Sequence, residues 1–491
     1  MNLEKTTKIF GNSIDKKTVS KAKKTCKKYL KRFGDDTEVK YHLALDENKV
    51  LAELGTKKLV ISENPLEKMP EKPIIIGNIR MGFGHYRISM AFASAAKSMG
   101  YTPIWMDLNS FSNTTCTKII SSQNDLYSLG SRLSQKSKLF NKFYWEPLNS
   151  EGFRKITYNA VDQAVSSLMT PVFTDIPKDI PFVATHVWPS QAAIHAGMKN
   201  VLNAIPDNWP MGLHLSEGAL HAVQTHSSYL GYKVLRGMDG KKTLNPMNDK
   251  DIFYTGHYID HELVSNIEKD CKNRIDRIKA NKPMRFLLTV GGAGAQGDFF
   301  IAIIKALLPY IKENKASLFI NIGDHKKVWQ DFENKIPELK DLSSSGKCKT
   351  HFENFDEVKD FAEKALSEAN SDETNGIHIF YNSDIFSAVY STNLLMRISD
   401  VLITKPSELA FYPIPKLHIK RVGGHEMWGA IHSAEIGDGT YECETIESTV
   451  AMIKEFLSDP SHIENMCNNI INAKKAGIYN GAYEAIKLLE K

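Results

Sequence analysis

The chain has 491 residues, of which 42% are hydrophobic, 10% aromatic and 24% charged. That length and balance fit a globular chain of two or three domains with a sizeable core, and exclude a peptide hormone, a fibrous chain and a disordered one. The formal charge is +5, but residues 1–70 hold 16 Lys and Arg against 10 Asp and Glu, so the rest is near neutral and lacks the broad cationic field that a nucleic-acid partner demands.

The first predicted element is a helix over residues 15–33. Val19, Ala22, Cys26, Tyr29, Leu30 and Phe33 recur at three and four, and nine Lys and Arg between Lys16 and Arg32 cover the other faces. A surface helix packed on the body and a helix that meets an anionic membrane surface both fit this pattern. Residues 1–70 as a whole read as a basic N-terminal extension.

After Pro70 and Pro73 the run Ile74-Ile75-Ile76-Gly77-Asn78 predicts a buried strand. It ends in the turn Met81-Gly82-Phe83-Gly84-His85, a helix from about Ser89 to Gly100 follows, and Pro103 to Asp107 is a second strand. Strand, glycine turn, helix and parallel strand form one doubly wound unit. Short apolar runs at 182–184, 200–205 and 222–224 continue its sheet. The polar stretch 269–283 suits an interdomain connection.

The same grammar returns with Arg285–Val290 as strand, Gly291 to Gly297 as turn, Asp298–Ile311 as helix and Ser317–Gly323 as strand. Residues 340–375 read as an inserted helical excursion, strands resume at Ile377, Asp400 and Leu417, and Glu447 to Lys491 reads as helices. The expectation is α/β: two Rossmann-like doubly wound parallel-sheet domains facing a cleft. Residues 71–268 form the N-terminal one, 283–440 the C-terminal one and 441–491 terminal helices, the last of which packs back on the first domain.

A glycine turn from strand into helix lets the backbone approach an anion, which the unpaired N–H groups at the helix start then hold. Gly82 and Gly84 offer this in the first half. The spacing is not GxGxxG, since Arg87 takes the third glycine position, so no dinucleotide fingerprint is present. His85 lies where open parallel sheets bind ligands, and its imidazole suits proton abstraction from a hydroxyl; capping the helix is the plainer role. Gly291, Gly292, Gly294 and Gly297 give more freedom than a turn needs, and diphosphate is the natural guest, with Asp298 as a rival cap for the same N–H groups.

Among the other histidines, His186 follows a strand at the ligand side of the sheet, while His195, His214, His221 and His226 read as packed core or rim residues with no metal spacing. Asp207 is placed to orient His85 or an acceptor, or to cap the segment holding Trp209. The Gly423-Gly424-His425-Glu426 run with Trp428 suits a ligand contact at His425 and Glu426. The six cysteines have no short spacing, so neither zinc nor a disulfide framework is expected. With no signal-type N-terminus and no apolar window of about 18 residues, a cytoplasmic protein is expected, with peripheral membrane contact left open.

The order of these segments resembles the GT-B glycosyltransferases, within them the branch containing the lipid II N-acetylglucosaminyltransferase and the monogalactosyldiacylglycerol synthases. Asn78 to Gly100 is similar to their first glycine loop. Thr185-His186, Ile205-Pro206-Asp207 and Tyr254 to Asp260 are similar to later landmarks, Val290 to Gly297 to the donor-side loop, and Ser399 to Pro406 to the strand and turn before the donor-binding helix. Where that family has a glycine pair and then a glutamate for the donor ribose, this chain has Ser407 to Pro415, with Glu408 earlier than the family glutamate.

The resemblance implies transfer of a hexose or N-acetylhexosamine from a nucleotide diphosphate sugar, UDP-sugar foremost, to an acceptor hydroxyl, with a membrane lipid among the candidate acceptors. His85 would be the general base, supported by His186 and Asp207. The Gly291–Gly297 loop and Lys405 would cradle the diphosphate, with Glu408, His425 and Glu426 also on the donor. No cofactor and no obligatory metal are expected, because main-chain N–H groups do a cation's work. A UDP-sugar 2-epimerase-like enzyme and a non-catalytic sugar-nucleotide-binding protein are the alternatives.

Overall fold

Continuous apolar runs form strands buried on both faces, and the residues spaced at three and four form helices that cover them. The computed structural model describes residues 4–66, 68–291, 296–367 and 372–490. It divides into two units, one of Met1–His261, Gly423–His425 and Asn480–Lys491, the other of Glu262–Val422 and Glu426–Tyr479.

Among the described residues the first unit holds an eight-stranded sheet: β1 His42–Asp46, β2 Lys57–Ser62, β3 Pro73–Asn78, β4 Thr102–Asp107, β5 Phe182–Ala184, β6 Val201–Ala204, β7 Leu220–Val223 and β8 Ile252–Tyr254. Their order is β8-β7-β6-β5-β3-β4-β2-β1, parallel except for the outermost pair β1 and β2. The chain leaves β3 towards β4, then crosses back to β5 and runs out through β8. The strand order therefore reverses between β3 and β5, where Ile75 faces Phe182 and Gly77 faces Ala184. Gly77 is required there, since a Cβ would come within 2.3 Å of the Phe182 ring.

Helices α1 Lys16–Phe33, α2 Gly84–Ser98, α3 Thr115–Lys136, α4 Ile156–Ser166 and α5 Val187–His195 surround this sheet. The predicted basic helix has the expected bounds because Asp15 caps it, accepting from Thr18 N at 2.8 Å, and Gly34 donates back to Leu30 O at its end. Residues 1–70 are more than an extension, however. β1 and β2 belong to the sheet, and Leu43, Val50, Leu51 and Leu59 are buried.

The second unit has α6 His261–Lys279, then β9 Met284–Thr289, α7 Gly297–Lys312, β10 Ala316–Asn321, β11 Cys348–Phe352, β12 Gly376–Tyr381, β13 Val401–Thr404, β14 Lys416–His418 and α8 Met427–Ile436. Its six-stranded sheet runs β11-β12-β10-β9-β13-β14, wholly parallel among the described residues. The order reverses between β9 and β13, where Leu288 faces Ile403. Both units are thus Rossmann-like, doubly wound parallel-sheet α/β folds.

Three readings of the sequence need correction. The stretch 269–283 is mostly helix α6, whose Leu263, Ile267 and Cys271 are buried. Its charge misled because it is paired: Asp270 binds Arg397, Arg277 binds Asp400, and Arg274 donates to Ser399 O at 2.8 Å. The excursion at 340–375 contains the edge strand β11, not helices alone. The helix after the first glycine turn begins at Gly84 rather than near Ser89. The C-terminal helices are at 446–458, 461–475 and 481–487, and the last belongs to the first unit, where Gly481 N donates to His257 O at 2.9 Å. No helix among the described residues is long and apolar enough to cross a membrane.

Candidate functional site

Because β3 and β5 are neighbours where strand order reverses, the loops leaving their carboxyl ends meet. The first passes through Gly82, whose φ of +72° is in the left-handed region that favours glycine, and enters α2 at Gly84. The N-cap of α2 is Phe83, which makes no side-chain capping hydrogen bond. His85, the second residue of α2, donates Nδ1–H to Thr185 O at 2.7 Å. The Thr185 hydroxyl in turn lies 2.7 Å from Ser89 Oγ, which ties the residue after β5 to α2. A carbonyl can only accept, which puts the lone pair of the neutral ring on Nε2.

His186 stands edge-on to His85 with ring centres 4.8 Å apart. It caps α5, its Nδ1 accepting from Trp188 N at 3.1 Å. Burial first, then the charges of His85 and His214, push its pKa well below the ordinary histidine value, so His186 is a neutral Nε2–H donor and not a base. Asp207 Oδ2 lies 3.3 Å from His214 Nε2. Burial drives the His214 pKa down to about 4, which Asp207 opposes and His85 and His425 reinforce. His425 therefore contributes to the histidine group of the first unit, and its Nδ1 is buried without a partner.

Two carboxyl groups nearby escape the sequence reading. Asp107, at the carboxyl end of β4, accepts from Tyr86 OH and, at 2.8 Å, from Asn109 N, yet burial raises its pKa to about 6. Asp162 on α4 is buried, its Oδ2 has no hydrogen-bond partner, and burial raises it to about 7. A strand ending in Asp was a weak signal for the first. Asp162 had none, since an acid on a helix is ordinarily solvated.

In the second unit Gly291, just after β9, lies beside the turn after β13 at the equivalent reversal. Gly292 and Gly294 lie outside the described residues. A Cβ on Gly291 would stand 3.4 Å from Lys405 Cε, so Gly291 lies beside this lysine. Gln296, at φ +74°, is the N-cap of α7 and makes no side-chain cap; its amide instead donates to Lys420 O. Gly297 opens the helix, and a Cβ there would meet nothing within 4 Å. Lys405 is ion-paired with Glu426, whose other oxygen accepts from Val422 N at 2.7 Å. Glu408 begins a short 3-10 turn, half-buried, just beyond Lys405.

The structure thus gathers His85, His186, Asp207 and His425 in the first unit. Gly291, Gln296, Gly297, Lys405, Glu408 and Glu426 line the same end of the second sheet. His425 and Glu426, adjacent in sequence, serve different neighbours.

Two family models match, one in each half. Residues 8–234 match the Domain of unknown function (DUF6937), and residues 247–490 the Domain of unknown function (DUF6938). No curated protein matches the sequence. Among solved structures, UDP-GlcNAc 2-epimerase from Neisseria meningitidis, bound to UDP-GlcNAc, is 12% identical over 85% of this chain and 100% of that one, with a TM-score of 0.44. A trehalose-6-phosphate protein from E. coli bound with UDP-2-fluoro glucose is 11% identical over 85% and 99%, at 0.40. A spinosyn rhamnosyltransferase complexed with spinosyn aglycone is 11% identical over 85% and 100%, at 0.34.

Proposed function

We propose that this protein binds a nucleotide diphosphate sugar, UDP-sugar foremost, and transfers its hexose or N-acetylhexosamine to an acceptor hydroxyl, as the resemblance of its loops to GT-B glycosyltransferases of the lipid II and galactolipid branch implies. The observation that carries the reading is the fixed tautomer of His85 at the β3–β5 reversal, with its lone pair on Nε2. In the proposed reaction Nε2 takes the acceptor hydroxyl proton as that oxygen attacks the anomeric carbon, and the bond from that carbon to the diphosphate oxygen breaks. His186, kept neutral, offers Nε2–H to the acceptor. Asp207 acts through His214.

The departing diphosphate carries the charge that must be received. The first N–H groups of α7 and the Lys405 ammonium supply that reception without an obligatory metal, with Gly291 leaving the approach open. Glu426 holds Lys405 in place, while Glu408 is assigned to the ribose and His425 to the transferred sugar. The cysteines among the described residues are all unbridged and buried, which suits a cytoplasmic site of action.

A 2-epimerase-like reaction is the second reading, and Asp107 favours it: a carboxyl near neutrality is the acid or base that such chemistry requires. Incubation with UDP-, GDP- and ADP-sugars, with and without acceptors including a lipid alcohol, and mass detection of products separates the two. Transfer needs the acceptor, whereas epimerisation alters the donor alone. Thermal stabilisation by a donor with neither product would leave a binding protein, and no stabilisation by any of them would sink both reactions.

A further inference from the structure

Twelve large hydrophobic side chains are exposed among the described residues, and six of them fall between Leu126 and Tyr144. Leu126, Leu129 and Leu133 follow at three and four along α3 and share one face. Leu139, Phe143 and Tyr144 lie on the turns that continue it, Leu139 and Phe143 each 71% exposed. The fold itself presents them. Trp145 is buried against α3, where a Cβ on Gly130 would come within 2.1 Å of the indole, and it packs on Tyr127 at 5.3 Å between ring centres. That anchor ties the segment down and leaves its neighbours Phe143 and Tyr144 in solvent.

The charge of the patch is one-sided. Between Asp125 and Glu146 the chain has no acidic residue and four cations, Arg132, Lys136, Lys138 and Lys142. Helix α1 adjoins α3, with Gln123 Nε2 donating to Tyr29 OH at 2.7 Å and Lys118 Nζ to Phe33 O at 3.3 Å. All nine of its Lys and Arg side chains are exposed. A second copy of the chain on this patch would set like charges against one another in a self-complementary contact. Aromatic and leucine side chains interleaved with lysines match an anionic bilayer, whose headgroups meet the cations while the apolar tips enter the acyl boundary.

We propose that residues 126–144, with α1 beside them, dock this protein on the surface of an anionic lipid bilayer. The inference goes beyond the sugar-transfer reading and does not depend on it, since docking requires no turnover. The Glu146 carboxylate, at the end of the segment, lies beside Gly424, so the docking surface adjoins the turn carrying His425.

The test is sedimentation of the full chain with phosphatidylcholine vesicles, with and without phosphatidylglycerol, at rising salt. The wild-type protein is expected to pellet with the anionic vesicles and to lose binding as salt rises. Leu139→Glu with Phe143→Glu is expected to lower the partition coefficient by on the order of tenfold or more while the thermal midpoint and donor binding stay unchanged. Lys23→Glu with Lys27→Glu should lower it as well. Failure of the wild type to bind anionic vesicles at low salt, or wild-type binding by the Leu139/Phe143 variant, overturns the proposal. So does a protein that is dimeric in sedimentation velocity and becomes monomeric in that variant, because the patch would then be a self-contact.

Discussion

The main-chain oxygen of Thr185 accepts the Nδ1–H of His85 at 2.7 Å. One hydrogen bond therefore decides which ring nitrogen can take a proton. His85→Asn keeps an amide that can donate to Thr185 but has no basic nitrogen. Transfer is expected to fall by about 10²–10⁴-fold, with donor affinity and thermal midpoint close to wild type. Wild-type turnover in this variant would remove His85 from the reaction.

Lys405 and Glu426 make opposite predictions about the diphosphate. Lys405→Ala removes a cation beside the glycine loop and should weaken UDP roughly tenfold. Glu426→Gln removes the carboxylate that competes with phosphate for that cation, while its amide oxygen can still accept from Val422 N. UDP should then bind as tightly or a few-fold more tightly, read by calorimetry. Weaker binding in both variants would mean that Glu426 touches the ligand itself, through ribose or sugar hydroxyls.

Buried histidines set the pH dependence of stability. Burial lowers His214 and His221 to about 4, and His378 and His418 to about 3. Each stays neutral in the fold but gains a proton in the unfolded chain below its ordinary value, so its contribution is present above that value and lost as pH falls. Asp107 and Asp162, raised to about 6 and about 7, act in the opposite sense: their contribution is present at low pH and lost as pH rises through those values. The lowered histidines outnumber the two raised carboxyl groups, so stability falls as pH drops through the ordinary histidine range. Urea midpoints at pH 7, 6 and 5 should fall in that order. His418 has no hydrogen-bond partner at either ring nitrogen, so His418→Leu should be neutral or stabilising at pH 7 and should flatten the acid limb.

What the sequence revealed follows from range. Helix α1, the first glycine turn and the strands β3 and β9 were legible because their signals lie within a dozen neighbouring residues. Strands β1, β2 and β11 were not, because each gains its place by pairing with distant partners while part of its side-chain row faces solvent. The charge on α6 read as solvated surface because Asp270 and Arg277 find Arg397 and Asp400 more than a hundred residues away. For the site, His85 and His186 could be picked out since each follows a strand end. His214 could not, because its nearness to Asp207 depends on the turn through Trp209.

A proton count singles out one more substitution. His351 Nδ1 lies 2.6 Å from the Glu357 carboxylate, His351 Nε2 lies 3.0 Å from His378 Nδ1, and His378 Nε2 lies 3.3 Å from Asn375 O. Both ends of this line only accept, so three ring protons are needed to fill its three links. Two neutral imidazoles carry two. Burial lowers both histidines, and Phe361 and Phe380 pack around them, so at neutral pH one link goes unmade. Glu357→Gln supplies an N–H donor at the carboxylate end and lets two neutral rings satisfy the whole line. Although it deletes a charge, the variant is expected to be more stable at pH 8 by up to about 1 kcal/mol, an advantage that shrinks as pH falls and the wild-type pair gains its third proton. A lower urea midpoint than wild type at pH 8 would mean that the pair already carries that proton, held by Glu357.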